Sequence, residues 1–116
     1  MRQYTTPFER LFVKGVTLSN TDRVFVTYSG KKATFPVGIN PSWDMTITID
    51  DPVVTPDQNG EGTWVVVHLT QEQTGSFAVC ETVGVQVNWL TEEGERGATK
   101  VCYIPVTENL LKEVIV

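Results

Sequence analysis

Trp43, Met45, Ile47 and Ile49 occupy every second position of one stretch, and Asp44, Thr46, Thr48 and Asp50 fill the places between. Successive side chains of an extended chain point to opposite faces. This alternation therefore predicts a strand with one face on a core and the other in water. The same period of two recurs along most of the chain. Val24, Val26 and Tyr28 alternate with Arg23, Phe25 and Thr27, and Val83, Val85, Val87 and Trp89 alternate with Gly84, Gln86, Asn88 and Leu90. Val65, Val67 and Leu69 form one face of a further strand, with Trp64, Val66 and His68 on the other, so this strand is expected to be covered on both sides. Cys102, Ile104 and Val106 share a face near the end. Valine and threonine, which lose side-chain freedom in helices and pack well on pleated surfaces, supply most of these positions.

Punctuation between the strands predicts how they connect. Ser29-Gly30-Lys31-Lys32 reads as a turn leading into a returning strand over residues 33–37, and Asn40-Pro41 breaks the chain again. Pro52 and residues 55–62, with Pro56, Asn59-Gly60 and Gly62, read as a loop. Thr70 lies three residues before Gln73, the spacing at which each side chain satisfies a free N–H of the other, so one short helical turn is expected there. Residues 91–97, with three glutamates and two glycines, read as a solvated hairpin loop joining strands over 83–90 and 98–106. About seven or eight strands with turns at this spacing predict an all-β fold, an antiparallel β-sandwich. The 116 residues make one domain, 1–116, with no repeat or low-complexity tract.

Catalytic chemistry finds little to work with. His68 is the sole histidine, and a serine nucleophile needs a histidine oriented by a carboxylate. No phosphate-cradling glycine loop is present. One histidine and two cysteines do not complete a zinc tetrahedron. Asp50, Asp51 and Asp57 with Asn59-Gly60 carry the residue types of a calcium loop, but the glycine falls at the wrong spacing, and turn chemistry accounts for them. Asp44 and Asp50 read as solvated carboxylates. No enzyme activity and no cofactor are expected.

The net charge of −5 and scattered cations give no stripe for counterion release, so nucleic acid is not an expected partner. No stretch approaches the ~20 apolar residues of a membrane helix, and the opening residues carry no apolar signal segment. A membrane is not expected as a partner, and synthesis in a cytoplasm is expected. In the predicted hairpin Cys102 falls opposite a residue near Val87, and Cys80 lies too far along for a bridge, so both thiols are expected to be free.

Two surfaces remain as candidates for function. Trp64, with His68 on the same strand face, is either packed under a second layer or a platform for a ligand or partner, a glycan among them. Leu110, Leu111, Val114 and Ile115 crowd the carboxyl-terminal stretch. They either complete the protein's own sandwich as an edge strand or helical turn, or dock on a neighbouring subunit.

The run His68-Leu69-Thr70-Gln71-Glu72-Gln73-Thr74 is followed by Val83-Gly84-Val85-Gln86-Val87-Asn88-Trp89, then by Gly94, Arg96 and Ala98-Thr99-Lys100, and last by Asn109-Leu110-Leu111-Lys112-Glu113-Val114-Ile115. With the opening Thr5-Thr6-Pro7-Phe8, this series resembles a group of small proteins carried by prophages of gut Firmicutes. Cys80 and the 55–62 loop depart from that pattern. The resemblance implies a tail- or baseplate-associated accessory protein of a phage particle. It also implies an immunoglobulin-like sandwich, similar to the N-terminal domain of baseplate upper proteins, with other protein subunits as partners. It brings no catalytic residue.

Overall fold

A computed structural model of the chain describes residues 1–33, 44–79, 81–111, 114 and 115. They form two antiparallel sheets facing one another. β1 (Phe8–Lys14) pairs with β5 (Gly62–His68), which pairs on its other side with β4 (Val53–Pro56). The second sheet runs β3 (Asp44–Asp50), β2 (Arg23–Lys31), β6 (Thr82–Leu90), and then β7 (Arg96–Ala98) and β8 (Cys102–Pro105), which lie end to end along β6. The order is therefore β1-β5-β4 over β3-β2-β6-β8, an antiparallel β-sandwich. Residues before β1 stand beside the far edge: Arg2 and Thr107 form a parallel bridge, and Gln3 N donates to Thr107 O at 3.1 Å.

The alternating positions fill the space between the sheets. Val24, Val26 and Tyr28 from β2, Val65 and Val67 from β5, and Val83, Val85 and Val87 from β6 are buried, with Leu18, Leu69 and Phe77 closing the ends. Met45, Ile47 and Ile49 pack partly buried against them, as their spacing predicted. Trp43 and Cys80 lie outside the described residues, and so does most of the predicted strand over 33–37. On the outer face of the larger sheet, hydroxyls line up across strands, Thr27 with Thr48 and Ser29 with Thr46.

Three connections differ from expectation. Gly30 lies inside β2 and does not turn the chain: a Cβ there would meet Val83 and Phe77 side chains at 3.2 and 3.3 Å, so the glycine permits close packing. β2 accordingly runs through Lys31 and pairs with β3. Both ends of the predicted 55–62 loop are sheet, because Val53–Pro56 forms β4 against β5 and Gly62 opens β5, and the turn contracts to residues 57–61, with Gly60 at φ +70°. The β6 hairpin forms, its register shifts by one residue between β7 and β8, and Cys102 faces Val85, two residues from the expected neighbourhood of Val87. Thr99 fills the resulting bulge: its N donates to Val87 O, and its hydroxyl accepts from Val87 N. Cys102 is exposed and its thiol is free.

The crossing from β5 to β6 carries α1 (Gln71–Gly75), and the predicted capping box is present. Thr70 Oγ1 accepts from Gln73 N at 3.2 Å, and Gln73 Oε1 accepts from Thr70 N at 2.8 Å. Thr74 is buried and bonds both the N–H and the carbonyl of Thr5, which pins the segment before β1 against the helix.

Candidate functional site

β5 turns its odd residues inward, which leaves Trp64, Val66 and His68 on the outside of the smaller sheet. The register brings β1 to the same face. Phe8 stands opposite His68, Arg10 opposite Val66 and Phe12 opposite Trp64, while Val53 and Thr55 of β4 flank from the other side. Phe8 and His68 stack with ring centroids 4.1 Å apart and planes 12° from parallel. Phe12 tilts against Trp64 at 4.9 Å, and the Arg10 guanidinium sits 4.6 Å from the Trp64 ring centre. The Trp64 Nε1–H donates to Asp57 Oδ1 at 3.3 Å. Asp57 also accepts from the Asn59 and Glu61 amides, so its carboxylate is spent on the turn and on the indole.

No second layer covers this face among the described residues. Phe8 is 68% exposed and Val53 67%, while Trp64 and Val66 are half-buried by their neighbours. The structure thus places the two predicted residues, Trp64 and His68, together. It adds Phe8, Arg10 and Phe12 from β1, a strand whose two faces both carry apolar residues and so show little contrast in the sequence. The period of two was there: Phe8, Arg10, Phe12 and Lys14 alternate with Glu9, Leu11 and Val13.

The second predicted surface meets the first at one corner. Leu110, Leu111, Val114 and Ile115 lie outside any strand and are exposed, Leu110 to 93%, so they do not extend the sandwich. The Gln71 side chain grips Ile115, with Nε2 donating to its carbonyl at 3.0 Å and Oε1 accepting from its N–H at 2.8 Å. Val114 and His68 line one cleft of about 310 Å³ together with Thr6, Leu69 and Gln71. The aromatic face and the apolar tail are therefore neighbours through His68.

Elsewhere, a polar cleft of similar size lies at the end of the sandwich between residues 19–24 and Asp51, Pro52 and Val54. Asp22 is committed there: it accepts from Ser19 N at 2.8 Å and Glu92 N at 3.1 Å, and these amides hold its carboxyl below the usual carboxylate range. Among the described residues, no three of His, Cys, Asp and Glu cluster closely enough to hold a metal ion, and no helix is long and apolar enough to cross a membrane.

No family model, curated protein or solved structure matches the chain.

Proposed function

We propose that this chain is a non-catalytic, immunoglobulin-like interaction module that docks on another protein subunit through the outer face of β1-β5-β4. The observation that carries this reading is the uncovered aromatic layer there, with Phe8 and Val53 mostly exposed beside Phe12 and Trp64. A contiguous apolar patch on a sheet face is left in water at a free-energy cost that a partner would remove. The apolar tail at the His68 corner extends the same surface. Together with the resemblance to small prophage proteins, this supports a role as an accessory subunit of a phage tail or baseplate, made in the bacterial cytoplasm and carried into the particle.

A glycan platform is the second reading, since an exposed indole can stack on a sugar ring. The geometry favours it less. Arg10 lies over the Trp64 ring and Asp57 takes its N–H, so a sugar would have to displace one and compete for the other. Nucleic acid suits this face poorly, because Arg10 and Lys14 stand among apolar side chains on a chain of net charge −5.

The test is quantitative mass spectrometry of particles purified after prophage induction in the bacterium that encodes the chain. The protein should be present in fixed ratio to a structural subunit, and Phe8→Ser with Phe12→Ser should remove it while leaving the isolated chain folded. Its absence from particles would refute the assembly role.

A further inference from the structure

We infer that β1 is a self-pairing edge: two copies of the chain join β1 to β1, antiparallel about Leu11, into one continuous sheet β4-β5-β1-β1-β5-β4. This deepens the interaction-module reading and rests on it for the claim that this part of the surface meets protein.

The first support is where the backbone groups of β1 point. Leu69 N donates to Pro7 O and Gly15 N to Glu61 O, which marks the odd-numbered residues as those bonded to β5. In an antiparallel ladder the alternate residues turn their N–H and C=O groups the other way. The amides and carbonyls of Phe8, Arg10, Phe12 and Lys14 thus face the outer edge, where no strand follows among the described residues. Exposed edges are usually blunted by proline, by short length, by charged side chains or by cover, and β1 carries only the charges of Glu9, Arg10 and Lys14. β4 is four residues long, ends in Pro56 and follows Pro52; β8 contains Pro105 and has the bridge between Arg2 and Thr107 beyond its end. β1 has seven residues with neither proline nor glycine, a character it shares with β3 at the edge of the other sheet, whose outward positions carry threonine and aspartate in place of aromatic rings and cations.

The second support is self-complementarity. On the outer face β1 reads aromatic, cation, aromatic, cation at Phe8, Arg10, Phe12 and Lys14. Two-fold pairing about Leu11 sets Arg10 opposite Phe12 of the second copy and Phe8 opposite its Lys14, so every cation meets an aromatic ring. A slip of two residues one way sets Arg10 against Arg10, and the other way sets Arg10 against Lys14. A slip of one residue turns the aromatic face of one copy onto the inner face of the other. The charge pattern therefore selects one register. That register is also the one the backbone permits: Arg10 and Phe12 of the second copy can exchange both edge hydrogen bonds, with Leu11 at the non-bonded position on the axis.

The test is sedimentation equilibrium of the full chain and three variants. Wild type should be dimeric at about 100 µM, an affinity within reach of one edge pairing. Arg10→Pro removes an N–H that the fold itself does not use, once per copy, and should weaken the dimer by roughly ten- to a hundredfold. Phe12→Lys sets like charges across the axis and should weaken it similarly. Arg10→Phe combined with Phe12→Arg exchanges the partners and should restore dimerisation, which a merely structural role for either residue would not predict. A monomeric wild type, or a dimer indifferent to both weakening changes, would overturn the pairing. The two readings fail separately. A chain that is monomeric in solution yet present in particles sinks the β1 pairing alone, and a dimer absent from particles sinks the assembly role alone.

Discussion

Replacing Thr63 by valine probes how the loop between β1 and β2 is held. Thr63 is 0% exposed, and its hydroxyl serves two backbone groups of that loop, donating to Val16 O at 2.7 Å and accepting from Leu18 N at 2.9 Å. Valine nearly keeps the shape and removes both bonds. The Leu18 amide lies in the core, beside a side chain only 1% exposed, and cannot turn to water. An unsatisfied buried group costs about 1–3 kcal/mol, and the half-exposed Val16 carbonyl adds less, for a total of about 2–4 kcal/mol. A chain of 116 residues has an unfolding entropy near 0.24 kcal/mol per kelvin, from about 2.1 cal/mol/K per residue. The midpoint should therefore fall by roughly 8–16 °C. Thr63→Ser keeps the hydroxyl and loses one methyl, which costs about 1 kcal/mol, or roughly 4 °C. Differential scanning calorimetry of the three proteins decides the matter. A valine variant that melts with wild type, or above the serine variant, would show that the hydroxyl does not anchor the loop.

Tyr28 should respond in the opposite direction. Its ring is buried in the core and its hydroxyl has no hydrogen-bond partner among the described residues, so Tyr28→Phe should leave stability unchanged or raise it, as urea denaturation would register. Burial, and secondarily the Glu9 carboxylate, raise the phenol's pKa above its ordinary value of 10.0; wild type should thus lose stability relative to the phenylalanine variant as pH climbs past 10, and parallel loss in both would refute this. Asp22 has its folded pKa lowered below 3.8, so its contribution is present above that value and disappears as pH falls below it. The stability gap between wild type and Asp22→Asn should accordingly be widest near neutrality and close in acid; a gap that is flat with pH would contradict the charge-assisted bonds to Ser19 and Glu92. Cys102 should react with Ellman's reagent in the folded protein, because its thiol is free and exposed; a thiol silent until unfolding would place it elsewhere.

The parts of the fold legible in the sequence are those with contrast between faces. β3 and β6 set valine, isoleucine or methionine against polar residues, and their burial follows that alternation. The Thr70–Gln73 box was equally legible, because its chemistry is local. β1 hid because Leu11 and Val13 face the core while Phe8 and Phe12 face outward, so both sides of the strand carry apolar residues and the contrast vanishes. Gly30 and Pro56 misled for a related reason. Each residue type marks turns, yet here one allows a side chain to approach and the other ends an edge strand. Trp64 and His68 could be set on one face from their spacing alone. Their neighbours Phe8, Arg10 and Phe12 come from more than 50 residues away, and cross-strand register at that range leaves no local signature.

Residue-resolved amide exchange by NMR measures directly whether the open edge of β1 is where this domain meets protein. In dilute solution the amides of Glu9, Leu11 and Val13, bonded to β5, should exchange slowly, and those of Phe8, Arg10, Phe12 and Lys14 should exchange quickly. At high concentration the second set should become protected while the first stays as it was. If the even-numbered amides exchange quickly at every concentration, the edge has no partner of its own kind; if they are slow even in dilute solution, another part of the chain already covers it.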